Sequence, residues 1–144
     1  MIIIQEDMSP NVKIVLSILQ DEIDGNVKSA INKMHPNYSM TWMYKTKNGT
    51  LFPSSRPNFK AEMNDIYAIT GRDYDIRHIT EADNVVMVEL IESYPDPKTG
   101  EEFRTPLVLV LEIENEKIKT GRHYCDPQIP YLHLSKDELV KIYK

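Results

Sequence analysis

The second half of the chain is built from segments whose side chains alternate and whose connections are too short for anything but hairpins. Leu107, Leu109, Leu111 and Ile113 interleave with Val108, Val110 and Glu112, the period-two pattern of a strand with apolar residues on both faces. Residues 74–80, 85–94, 103–114 and 117–126 read as four such strands, separated by Glu81-Ala82-Asp83-Asn84, by residues 95–100 and by Asn115-Glu116. A parallel crossover needs a dozen or more residues, so these neighbours must be antiparallel. With apolar residues on both faces for part of their length, one face must be covered, by helices on one side or by another subunit on the other.

The helices come first. Ser9-Pro10 is a cap followed by a first-turn proline, and Val12, Val15, Leu16, Leu19 and Ile23 recur on one helical face. Asp24-Gly25-Asn26 interrupts the pattern, and Val27, Ala30, Ile31 and Met34 predict a second helix that stops at His35-Pro36. From Tyr38 the period becomes two: Tyr38, Met40, Trp42 and Tyr44 share a face. Asn48-Gly49 is a tight-hairpin pair, with residues 50–52 returning as a short partner strand. Phe59, Met63, Ile66 and Tyr67 predict a third helix ending near Gly71, and Ser135 with Glu138 forms a capping box for a last helix over 135–142.

A chain of 144 residues, 41% hydrophobic and 27% charged, suits one globular domain spanning 1–144. Met1-Ile2-Ile3-Ile4 runs directly into Gln5, Glu6 and Asp7, without the length or basic flank of a signal peptide or membrane span, so a cytoplasmic protein with no membrane partner is expected. Cys125 is the single cysteine and forms no internal disulfide. A net charge of -5 with scattered lysines gives no footprint for nucleic acid. His35, His78, His123 and His133 lack the paired spacing of a zinc site, and no phosphate loop, dinucleotide fingerprint or nucleophile elbow is present, so neither metal nor cofactor is expected.

Residues 116–127, Glu-Lys-Ile-Lys-Thr-Gly-Arg-His-Tyr-Cys-Asp-Pro, resemble the final strand of SnoaL-like proteins in register at Ile118, Arg122, Tyr124, Asp126 and Pro127. The order of elements, helix pair, strand and hairpin, helix, then long antiparallel strands, is similar to that of the wider NTF2-like superfamily. The resemblance implies an α+β fold: a cone in which N-terminal helices pack on a strongly curved, antiparallel, mixed-edge sheet, with a core over about 9–132. It also implies a homodimer through the outer sheet face and an interior pocket for a small, mostly apolar molecule. Members of the superfamily include isomerases, cyclases, epoxide hydrolase-like enzymes and non-catalytic binders, so the fold alone does not choose among reactions.

By this resemblance His123 occupies the place of an inward-pointing carboxylate, and an imidazole there can exchange a proton near neutral pH. It is the catalytic candidate, as a general acid-base without cofactor, in isomerase, cyclase or hydrolase-like chemistry. Trp42 and Tyr44 share a strand face and carry polar tips suited to a ligand oxygen. Met63 and Tyr67, on the inward face of the third helix, would add an adaptable apolar wall. His78, and Glu89 among Val85, Met87 and Ile91, are candidate contacts whose faces stay open between cavity and sheet exterior. Asp126 before Pro127 reads as strand-end turn chemistry. The competing reading is a dimerisation or ligand-sensing domain, non-catalytic, with its cavity filled by its own side chains.

Overall fold

The computed structural model describes residues 1–44 and 70–143, together with the backbone of 52–55. The expected turn at Asn48-Gly49 and the expected third helix, with Met63 and Tyr67, lie outside the described residues.

Ser9 caps helix α1 (Pro10–Asp24), its side chain accepting a hydrogen bond from the Val12 amide, while Pro10 occupies a first-turn site that needs no donor. The helix closes on Gly25, whose φ of 70° is the left-handed geometry that glycine adopts without a Cβ penalty. Helix α2 (Val27–Asn32) follows, capped by Asn26, and is shorter than its apolar period suggests. Met34 already belongs to strand β1 (Met34–Trp42), which runs straight through His35-Pro36. The proline that reads as a helix stop thus sits inside a strand. It is tolerated because the ladder slips there: Met34 pairs with Ile118 and Ser39 with Thr120, leaving irregular chain between them that has no need of Pro36's missing amide.

Strands β2 (Phe52–Ser55), β3 (Asp73–Ala82), β4 (Val85–Pro95), β5 (Glu102–Glu114) and β6 (Lys117–Tyr124) complete a sheet of order β2-β1-β6-β5-β4-β3 among the described residues. Every pairing is antiparallel except that of β1 with β6, which is parallel and makes the sheet mixed. Asn115 and Glu116, both at positive φ (52° and 62°), turn β5 into β6 with the handedness that matches strand twist. Register shifts between Ile76 and His78 and between Glu112 and Ile113 mark bulges that bend the sheet.

On β4 the pleat sorts the first residues: Val86, Val88 and Leu90 are wholly buried and Met87, on the alternate face, is 46% exposed, whereas Ile91, also on that alternate face, is buried. Helix α1 lies against the concave side on β3 and β4, bringing Val15, Leu16 and Leu19 onto that apolar row. After β6 a short turn of 3-10 helix (Ile129–Leu132) leads to the last helix (Lys136–Val140). Its capping box is complete, Ser135 Oγ accepting from the Glu138 amide at 3.2 Å and the Glu138 carboxylate from the Ser135 amide at 2.7 Å. Among the described residues no helix is long and apolar enough to cross a membrane.

Candidate functional site

The curved sheet and α1 enclose a cavity of about 370 Å3. Its inner wall is apolar, with Val15 and Leu19 from α1 opposite Met40, Leu109, Leu111 and Ile118 from the sheet. The volume falls within the range of small-molecule pockets. The described residues thus leave open the space that a side-chain-filled interior would occupy.

Three sequence candidates meet on this cavity: Trp42, Tyr44 and His123. The parallel pairing of β1 with β6 is what joins them, because it sets Trp42 directly beside His123 and lets the Met43 amide donate to the His123 carbonyl at 2.8 Å. The Trp42 and His123 rings lie 6.4 Å apart, tilted by 40°. Nδ1 of His123 is buried and has no hydrogen-bond partner among the described residues. Burial pushes the His123 pKa below the ordinary histidine value, against an opposing pull from the charge of Glu92. The imidazole is therefore neutral at neutral pH, and its free nitrogen is available to a ligand.

Cys125, just beyond β6, also lines the cavity, and burial raises its thiol to about 11. It is protonated and a poor nucleophile. Burial likewise raises the hydroxyls of Tyr44 and Tyr94, which keeps both as hydrogen-bond donors. Asp126 turns the chain after the strand, its side chain accepting from the Gln128 amide at 2.9 Å.

Two candidates are corrected by the pleat. Glu89 alternates with Val88 and Leu90 and so points to the outer face of β4; the bulge after Ile76 puts His78 beside it. The two pair with each other, His78 Nδ1 to Glu89 Oε2 at 2.6 Å, with side chains 75% and 37% exposed. Neither lines the cavity.

The acid of β4 that does enter is Glu92. It continues the buried series Val86, Val88, Leu90 at the same parity, a signal present in the sequence and overlooked in favour of Glu89. Its Oε2 accepts from Nη1 of Arg72 at 2.7 Å, and the Arg72 side chain is only 3% exposed. The guanidinium stacks on the Tyr94 ring, 4.6 Å from its centre. Deeper in, the Tyr74 hydroxyl donates to Glu22 at 2.6 Å. Among the described residues no group of three or more His, Cys, Asp or Glu side chains could hold a metal ion.

No family model matches the chain, and no curated protein matches it. Solved structures do. IdmH from Streptomyces antibioticus, a proposed polyketide cyclase, is 10% identical at a TM-score of 0.72, over 85% of this chain and 96% of its own. A proposed SnoaL-like polyketide cyclase from Shewanella putrefaciens is 12% identical at 0.71, over 94% and 88%. An LEH-like epoxide hydrolase of M. tuberculosis is 11% identical at 0.70, over 92% and 95%. With its helices on a curved mixed sheet around an apolar cavity, the chain has the NTF2-like fold that SnoaL-like and ketosteroid isomerase-like proteins share.

Proposed function

We propose that the cavity binds a small, mostly apolar, oxygen-bearing molecule and that His123 exchanges a proton with it. The observation that carries this reading is the buried, unpartnered Nδ1 of His123 in a mostly apolar chamber beside Trp42 and Tyr44. A buried polar atom without a partner costs stability, and a ligand that supplies the partner recovers that loss.

The chemistry that suits these groups is proton transfer at a carbon next to a carbonyl. Neutral imidazole takes the proton, the electron pair of the broken C–H bond moves onto the carbonyl oxygen, and a donor, the Tyr44 hydroxyl or the Trp42 indole N–H, holds the resulting enolate. Return of the proton from imidazolium to a different carbon of the conjugated enolate completes an isomerisation; attack of the enolate carbon on a second carbonyl of the same molecule, with the imidazolium proton passing to the alkoxide so formed, completes a cyclisation. The cyclases among the structural neighbours support this direction. Water activation, as in an epoxide hydrolase, is less well served: Glu92, an acid of the same cavity, is already paired with Arg72.

β-Tetralone is a suitable probe, being a bicyclic ketone with exchangeable protons beside its carbonyl. In deuterium oxide the wild-type protein is expected to accelerate deuterium uptake at that carbon, and His123→Ala to lower the enzymatic rate by about a hundredfold or more while the fold is retained. Equal rates in the two proteins overturn the role of His123. Binding without exchange in the wild type leaves a non-catalytic pocket.

A further inference from the structure

Among the described residues, the cavity wall carries charged side chains as well as His123. Glu92 projects into it from β4, and Arg72, held between the Glu92 carboxylate and the face of Tyr94, keeps that carboxylate still. Arg72 engages Oε2, so Oε1, on a side chain 18% exposed at the cavity wall, has no partner among the described residues. In the register of the sheet, Glu92 sits beside Thr105 and Tyr74, whereas His123 sits beside Leu109 and Trp42. The two are therefore on different rows of the same concave face. Both side chains line the same cavity.

We propose that Glu92, positioned by Arg72, accepts a hydrogen bond from a hydroxyl of the ligand, so that the cavity selects a neutral molecule with a carbonyl at one end and a hydroxyl at the other. The inference rests on the carbonyl-binding reading of His123 and adds the second half of the ligand. An ionised carboxylate acts only as an acceptor, so the ligand group facing it must donate. An anionic ligand meets the carboxylates of Glu92 and Glu22 while the guanidinium is already engaged. A cation gains little, because Arg72 already balances the charge of Glu92 at 2.7 Å. A phenol or alcohol forms a charge-assisted bond and brings no charge that must be buried.

The test compares β-tetralone with three derivatives substituted on the aromatic ring far from the ketone: a hydroxyl, its methyl ether and a carboxylate. Titration calorimetry on the wild-type protein is expected to rank the hydroxyl at least about tenfold tighter than the parent, with the ether no better than the parent and the carboxylate weakest. The paired variant Arg72→Met with Glu92→Leu, which removes both charges together, is expected to lose the preference for hydroxyl, read as the ratio of hydroxyl to parent affinity within that variant. An ether that matches the hydroxyl, or a hydroxyl preference that survives in the paired variant, overturns the inference and leaves the His123 reading standing. If neither the parent ketone nor the hydroxyl derivative binds, both fall.

Discussion

Gly121 lies on β6 between Met40 of β1 and Leu111 of β5, and both neighbours line the cavity. A Cβ built there stands 2.8 Å from Met40 Cε, 2.9 Å from Met40 Sδ and 3.0 Å from Leu111 Cδ2. These are the ends of flexible side chains, and open volume lies beyond them. Gly121→Ala therefore pushes Met40 and Leu111 into the cavity and leaves the backbone in place. Overpacking costs about 1–3 kcal/mol, and replacing a strand glycine with alanine returns about 0.5–1 kcal/mol, so a net loss of about 1 kcal/mol is expected. For a domain of this size that lowers Tm by roughly 3–5 °C. Gly121→Val adds two more carbons at the same point, and its loss should approach about 3 kcal/mol. Thermal unfolding and β-tetralone titration, run on both variants, read stability and occupancy together. Affinity should fall in the order wild type, alanine, valine, because the displaced side chains take the ligand's space. If the valine variant unfolds with the wild-type Tm and binds the probe with wild-type affinity, the close approach at Gly121 does not shape the cavity.

Two expectations concern titration. Burial lowers the His123 pKa in the folded state, so the unfolded chain, with its histidine near about 6.5, binds the proton more readily. The stability associated with His123 is complete above that pH and is lost as pH falls below it, at no more than about 1.4 kcal/mol per pH unit; urea unfolding between pH 7 and 5 should show a smaller slope in His123→Gln, and identical slopes refute the burial argument. Cys125, at about 11 against an ordinary 9.0, has a thiolate population about a hundredfold lower than a free thiol at pH 8. Iodoacetamide should alkylate the native protein about a hundredfold more slowly than the urea-unfolded chain, and comparable rates would count against a buried thiol.

Much of the fold was legible because local chemistry and tertiary packing agree. Ser9-Pro10 and Gly25 bracket α1, the alternation along residues 103–114 marks β5, and Ser135 with Glu138 caps the last helix. The start of β1 was not legible. Pro36 is a helix stop by its own stereochemistry, and only the slipped pairing with β6, supplied by residues far along the chain, makes room for it in a strand. At the site, His123 was visible by resemblance and Trp42 by alternation, but their meeting depends on a parallel pairing that no local signal announces. Glu89 and Glu92 differ in strand parity alone. Glu89 drew attention as an acid among apolar neighbours, yet those neighbours belong to the outer face, and Val86, Val88 and Leu90 define the inner one. Arg72 was invisible as a partner because the pairing of β3 with β4, rather than any motif, brings it to Glu92.

The parallel pairing of β1 with β6 also sets a schedule for synthesis. β1 is made early, but its partner on one side is the last strand of the sheet to be translated, and all of β3, β4 and β5 lie between them in the chain. Until β6 emerges, the edges of β1 and β5 that it joins have no mate, and the apolar wall shared by Met40, Leu109 and Ile118 stays open to water. Contacts this distant in sequence close slowly, and unpaired edges invite association with other chains. The strand that brings His123 to Trp42 is thus also the one that closes the sheet's last open seam.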